Sequence, residues 1–294
     1  MKKVPIVLAG EVLFDCFPDT QVLGGAPFNV AWHLQALGAT PVLISRIGHD
    51  ARGRAIIEAM RDWQMDASGL ELDSDHPTGQ VSITLDQGEP NYSIEPDQAY
   101  DFISGAHFDS LPDEAFFYHG SLALRNPVSR TAIRRLSRRY SGRVFMDVNL
   151  RAPWWQKQDV LTFLDGADWV KLNRDELFAL HEPCADLEHS LDRLIERHAL
   201  AGAVVTLGRE GAIGKRCHDR HLYQVSPPDN LDVIDAVGAG DAFTAVLLLG
   251  LSRNWPFEET LHRAQAFASL LVTRRGATVR EANFYRPFLD QWTA

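Results

Sequence analysis

Short apolar blocks recur along the chain, separated by longer segments whose apolar positions return with helical spacing. The blocks Ile6–Ala9, Val42–Ser45, Phe116–Tyr118, Val144–Met146, Trp169–Leu172, Ala203–Leu207 and Val233–Ile234 predict strands. The segments Pro27–Leu37, Arg52–Trp63, Pro127–Tyr140, Asp159–Leu164, Arg174–Leu180 and Asp186–His198 predict amphipathic helices between them. Strands alternating with helices imply an α/β fold, with a twisted, mostly parallel sheet covered by helices on both faces. The C-terminal part is mainly helical, with helices from Gly240 to Gly250 and from Phe257 to Val272. One stretch departs from this rhythm. Thr78–Asp86 alternates, with Val81, Ile83 and Leu85 on one face and Gln80, Ser82 and Thr84 on the other. Residues Gln87–Pro90 then turn the chain into Asn91–Ile94, which reads as an antiparallel hairpin. By pattern alone it fits a sheet edge, a lid or a dimerisation element.

Composition narrows the class. With 294 residues and 45% hydrophobic positions, the chain can bury a large core, and no repeat or linker divides it. Lys and Arg number 29 against 39 Asp and Glu, a net charge of −10, which excludes nucleic acid and anionic membranes as partners. Three cysteines, Cys16, Cys184 and Cys217, are odd in number and far apart, so a disulfide framework is not expected. The apolar start is interrupted at Gly10-Glu11, and the longest apolar stretch, Ala245–Leu251, is far below the ~20 residues that span a bilayer. A cytoplasmic, soluble protein is the expectation.

The sharpest chemical signal is the run from Val233 to Phe243. A strand-like pair leads into Gly238-Ala239-Gly240 and then directly into an apolar helix. The unpaired N–H groups and positive dipole of a helix start make an anion site. Asp241 in that first turn reads either as a dipole partner or as a base for a hydroxyl attacking a phosphoryl group. A Walker loop is absent, since Gly214-Lys215-Arg216 lacks the leading Gly and the Ser/Thr, and the G-x-G-x-x-G dinucleotide fingerprint also fails. Gly24-Gly25, Pro27 and the apolar stripe after them make a second helix start, where Asn29 serves equally as a local residue or a sugar-hydroxyl ligand. Each predicted strand runs into polar or glycine positions. Asp15, Asp147, Asn149, Arg151, Asn173, Glu176, Gly208, Gly211 and Asp235 thereby point to a crevice at the strand ends. The segment Cys217–His221 fits a solvated turn better than a metal site, and His33 and His119 fit structural roles.

These motifs together resemble the ribokinase-like (PfkB-type) carbohydrate kinases, and the resemblance covers essentially the whole chain. Asp235–Asp241, the Gly24-Gly25 block with Asn29, Ile47–Gly53, Asn173–Glu176 and Val205–Ala212 match the family's signatures in order. Gly10–Asp15, the Gly-Gly-Ala-Pro-Phe-Asn block and Asp147–Arg151 are most similar to bacterial fructokinases. The resemblance implies one kinase domain with a small β lid, built from insertions near 11–23 and 77–98 and suited to pairing in a homodimer. It implies Asp241 as general base and Gly238, Ala239 and Gly240 as the anion hole. Asp15, Gly25, Asn29 and Arg151 would bind the sugar, while Asn173, Thr206, Gly208 and Gly211 would border ATP. Glu176 would reach Mg2+ through water, and Asp235 would serve a monovalent cation, K+. Two positions depart from the family pattern: Ala236 replaces a usual threonine, and Ala264 stands where some relatives carry an asparagine near the purine. The implied reaction is ATP-dependent phosphorylation of fructose to fructose 6-phosphate. The alternatives are another sugar, a riboside or a sugar acid such as 2-keto-3-deoxygluconate, and, more remotely, a non-catalytic sugar or nucleotide sensor.

Overall fold

The computed structural model describes residues 4–86 and 89–292. The first elements are β1 (Ile6–Ala9), β2 (Leu13–Cys16), β3 (Gln21–Gly24), α1 (Ala26–Ala36), β4 (Val42–Gly48), α2 (Ala51–Asp62) and β5 (Leu70–Asp73). Then come β6 (Gly79–Asp86), β7 (Glu89–Ile94), β8 (Phe116–His119), α3 (Pro127–Arg139), β9 (Val144–Asp147), α4 (Lys157–Leu164), β10 (Trp169–Asn173) and α5 (Arg174–Leu180). The rest is α6 (Leu187–Arg197), β11 (Gly202–Thr206), β12 (Ala212–Arg216), β13 (Tyr223–Val225), α7 (Ala239–Ser252), α8 (Phe257–Leu271) and α9 (Ala282–Trp292).

A nine-stranded sheet runs in the order β13-β12-β11-β10-β9-β8-β1-β4-β5. Only β12 is reversed: it pairs antiparallel with both β11 and β13, and every other neighbouring pair is parallel. The pleat of β1 shows how the sheet is buried on both sides. Ile6 and Leu8 join one apolar cluster with side chains of α1, α7 and α8, while Val7 and Ala9 join the other with side chains of α3 and α6. Helix α7 is buried nearly all round from Ala242 to Gly250, which accounts for its continuous apolar sequence. All strand C-terminal ends of the parallel core open on one edge, and the crevice expected from the sequence lies there.

The alternating segment is a strand of a second, four-stranded sheet, β3-β2-β6-β7. Val81 and Ile83 are buried as the pattern requires, and the face they share by register also carries Leu13, Asp15, Val22, Ile94 and Tyr92. Residues 87 and 88 of the expected turn lie outside the described residues, whereas Glu89 and Pro90 belong to β7 rather than to the turn. Helix and strand ends otherwise differ from expectation by a residue or two, within the fraying of such boundaries.

One predicted element is corrected. Val233–Ile234 is not a strand: Ile234 and Asp235 donate backbone bonds to the Val272 carbonyl at the end of α8, and Val233 and Ile234 are exposed. The β-branched pair has no neighbouring strand to join, so propensity is overridden by position. Strands β2, β3, β5, β12 and β13 were not visible in the pattern. In β12, Gly214 packs under the Phe257 ring, and Lys215 extends to Glu188 and Asp192, so its polar residues disguise a buried strand. Residues 217–222 link β12 to β13 as a turn, with Asp219 paired to Arg216.

The segment Ile47–Gly53 explains how the two sheets are joined. Asp50 caps α2 by accepting the Gly53 N–H at 2.8 Å, and its carboxylate also takes the Thr78 N–H and hydroxyl, each at 2.8 Å. A Cβ on Gly48 would meet Asp50 Oδ2 and Thr78 N at 2.6 Å, and one on Gly53 would collide with the Gly48 carbonyl. The motif is therefore a clasp between the end of β4, the start of α2 and the start of β6. Burial pushes the Asp50 carboxyl up, but the Thr78 and Gly53 donors outweigh it and hold it below the usual aspartate range. Asp50→Ala should lower unfolding stability by about 1–3 kcal/mol in urea titrations, from the lost cap and the orphaned Thr78 N–H.

Candidate active site

The site forms where α7 begins. Its N-cap is Gly238, in the left-handed region at φ 77°, where any side chain would collide with Ala277. No side chain caps the helix. The Ala239 N–H makes a 3.3 Å bond to the Ala236 carbonyl, and the Ala242 N–H closes the first helical bond to Gly238. The N–H groups of Gly240 and Asp241 are left for an anion by helix geometry. The three residues expected to form the hole thus divide the work: Gly238 turns the chain, Ala239 begins the helix and Gly240 exposes its backbone.

Asp241 faces the first turn of α1, where Asn29 Nδ2 donates to its Oδ2 at 2.8 Å. Asn29 is buried, and its Oδ1 has no hydrogen-bond partner among the described residues. Burial raises the Asp241 carboxyl to about 6; the Asn29 bond opposes this, Asp147 adds to it, and Lys171 and Arg151 oppose it. A carboxylate near 6 is ionised at neutral pH yet has real affinity for a proton, which is what a general base requires.

Beside it, Asp15 Oδ2 lies 3.4 Å from where a Cβ on Gly24 would be, and Gly25 packs its Cα against the Glu11 carbonyl at φ 105°. The small sheet therefore brings Asp15 to Asn29. Burial raises Asp15, and Arg151 lowers it. Arg151 faces Asp15, Glu11 and Asp241, and it has no ion pair among the described residues. Away from Asn29, Thr206, Gly208, Gly211, Ala239 and Gly240 border a cleft of about 600 Å3. Ala236 also lines it, so its missing hydroxyl leaves only backbone there. Ala264 is fully buried in α8 and does not reach this cleft; Gln265, Ala268 and Ser269 do. Gly240 thus sits on the cleft while the next residue, Asp241, sits on the Asn29 side.

Asn173 and Glu176 form a capping box at the start of α5. Glu176 accepts the Asn173 N–H and the Leu150 N–H, each at 2.8 Å, so both its oxygens are held. Burial raises its pKa, and Asp147 adds to that effect. Asp235 is also engaged, accepting the Val237 N–H at 3.0 Å and the Gly276 N–H at 2.9 Å. It ties two loops together next to α7.

Sequence reasoning missed three participants. Lys171 is buried and donates to both Asp147 oxygens at 2.9 Å. Its Nζ is 3.3 Å from where a Cβ on Gly240 would sit, directly behind the anion hole. Burial works against its charge, but Asp147 outweighs burial and keeps it cationic. Thr244 donates to Asp147 or to the Gly240 carbonyl, at 2.8 and 2.9 Å. The signal was present: a lysine inside an apolar strand buried on both faces needs a reason. Glu11, buried at the end of β1, is the third. His33 takes the structural role expected, bonding Tyr285 and the Ala277 carbonyl, with burial lowering it to about 4, whereas buried His119 bonds the Gly120 carbonyl through Nδ1 and leaves Nε2 without a partner among the described residues.

Comparison with known proteins identifies the family. The model of the pfkB family of carbohydrate kinases matches residues 5–282. A fructokinase of Salmonella typhimurium is 30% identical over 289 residues, covering 91% of this chain and 93% of the relative. The fructokinase of Klebsiella pneumoniae is 30% identical over 293 residues, with 92% and 94% covered. The crystal structure of fructokinase from Vibrio cholerae O395 bound to fructose, ADP and calcium superposes with a TM-score of 0.84 at 27% identity, covering 97% of this chain and 99% of that one. Aminoimidazole riboside kinase from Salmonella enterica, complexed with its riboside and an ATP analogue, gives 0.81 at 25% identity, again covering 97% and 99%. With the family model matching residues 5–282 and relatives 30% identical over most of its length, the chain belongs to the pfkB family of carbohydrate kinases.

Proposed function

We propose that this carbohydrate kinase transfers the γ-phosphate of ATP to the primary hydroxyl of a neutral sugar, D-fructose, giving fructose 6-phosphate and ADP. The observation that carries the reading is the Asn29–Asp241 pair set beside the uncapped start of α7, with a nucleotide-sized cleft bordered by Gly240. Asp241 takes the hydroxyl proton as that oxygen attacks the γ-phosphorus, and the bond to the β–γ bridging oxygen breaks in line. The first-turn N–H groups, with the Lys171 ammonium behind them, face the charge that develops.

Charge favours a neutral substrate over a sugar acid. Glu11, Asp15 and Asp241 all face Arg151. The nearby Arg125 is ion-paired with Asp101 and bonds the Glu95 carbonyl, leaving only its Nη1 without a partner among the described residues, and Lys171 is paired with Asp147. A substrate carboxylate would meet more acids than free cations. Fructose is the sugar of several curated relatives, and it occupies one solved neighbour.

The four-stranded sheet that presents Asp15 serves as the lid over the sugar. Val22 and Tyr92, exposed on the same face, give a second copy an apolar place to pair. Among the described residues no cluster of three or more His, Cys, Asp or Glu side chains is poised for a metal. With both Glu176 oxygens taken by N–H groups, the residues fit a magnesium ion carried on the nucleotide phosphates and reached by Glu176 and Asn173 through water. Such an ion would draw charge from the transferring phosphate. We place K+ with the carbonyls of the two loops that Asp235 ties together.

ADP release measured across fructose, ribose, 2-keto-3-deoxygluconate and nucleosides, with and without potassium, should show the highest kcat/KM on fructose. Strong turnover on another substrate without turnover on fructose would replace the assignment. Asp241→Asn should lower kcat by roughly 10³-fold while the equilibrium affinity for sugar changes little. Because the base works deprotonated, kcat/KM should be lost as pH falls through about 6, by about tenfold per pH unit below it. Asn29→Ala removes the donor that lowers Asp241, so the acid limb should move to higher pH.

A further inference from the structure

Glu11 occupies the short connection where the chain leaves β1 for the small sheet, and its side chain is buried at 3% exposure. Its carboxylate lies near its own backbone and that of Ala26, the first residue of α1, and both lower it against the effect of burial. Helix α1 has no side-chain cap of its own, since its N-cap is Gly25. The Glu11 carboxylate therefore stands at the uncapped start of the helix that carries Asn29. One of its oxygens, Oε2, is buried without a hydrogen-bond partner among the described residues. So are Asn29 Oδ1 and the Tyr118 hydroxyl.

Asn29 bonds Asp241, and Glu11 and Tyr118 both lie within electrostatic reach of that carboxylate. Glu11 interacts with Arg151 and Asp241, Tyr118 with Glu11, Asp147 and Asp241, and Tyr100 and Arg125 flank Glu11 from the side. A buried acceptor left without a donor is costly, and native proteins retain one where a ligand or water completes it. Burial also raises the Glu11 carboxyl to about 7, with Arg151 opposing and Asp241 adding. A carboxyl in that range is poorly served by the protein alone and has capacity for a further donor.

We propose that Glu11 is a sugar-binding residue: its free oxygen accepts a hydroxyl of the bound sugar, while its other oxygen holds the start of α1 and so Asn29 against Asp241. The inference rests on the sugar-kinase reading and adds a contact to it. It also gives the pocket a means of telling hydroxylated from deoxygenated substrates, because an empty site leaves the acceptor unpaired.

The test is Glu11→Gln, in which the amide carbonyl still faces the start of α1 and an NH2 group replaces the free acceptor. The thermal midpoint should fall by less than about 5 °C, the sugar KM should rise about tenfold or more, and the ATP KM should stay within about twofold. Monodeoxy sugars supply the decisive comparison. Removing the partner hydroxyl should weaken binding to the wild-type protein about tenfold and binding to the variant hardly at all. If every deoxy sugar loses the same factor in both proteins, or if sugar and ATP constants shift together with a large loss of thermal stability, Glu11 is only a structural cap and the proposal is overturned. A wild-type protein that turns over no neutral sugar would overturn the underlying reading instead.

Discussion

The buried ion pair between Lys171 and Asp147 holds the active edge of this protein together. The two residues come from adjacent strands, β10 and β9, and Thr244 joins them to the first turn of α7. Taking both charges out of water is expensive, so the pair persists only because its geometry is close and its hydrogen bonds are nearly complete. The return is positional. The ammonium lies behind Gly240, 3.3 Å from where a Cβ there would sit. Removing one partner would strand a buried charge, at a cost of about 3–5 kcal/mol.

At that point the crevice divides in two. Ala239 and Gly240 face the cleft bordered by Thr206, Gly208 and Gly211, whereas Asp241 faces Asn29 and the small sheet. Consecutive residues of one helix start thus meet the two sides. A net charge of −10 is compatible with such a phosphate site, since backbone N–H groups rather than a lysine-rich groove meet the anion. On the Asn29 side, Arg151 is outnumbered by the acids it faces.

The two sheets depend on each other through small clasps. Asp50 joins α2 to Thr78 at the start of β6, and Glu11 joins the end of β1 to the start of α1. Both set a carboxylate against backbone that secondary structure leaves over, and both stand beside glycines whose missing Cβ permits the approach. A motif such as Ile47–Gly53 is therefore architectural: it places the sheet that presents Asp15.

The periodicity of the sequence was enough to specify the parallel core, because β1, β4, β8, β9, β10 and β11 are buried on both faces and must be written in apolar residues. It was also enough to mark the hairpin and the start of α7, where glycines and a carboxylate have few other uses. It could not show β12, whose Gly214 and Lys215 are explained only by Phe257, Glu188 and Asp192 arriving from elsewhere, nor could it withhold a strand from Val233–Ile234. The catalytic neighbourhood follows the same division. Asp241 and Asn29 are each legible as helix-start residues, yet they are separated by 212 positions, and the 2.8 Å bond between them exists only because α1 and α7 pack side by side. Lys171 and Glu11 were hidden for the same reason. A charge buried in a strand or a turn acquires meaning from partners that local pattern cannot name, and only the tertiary structure brings those partners within reach.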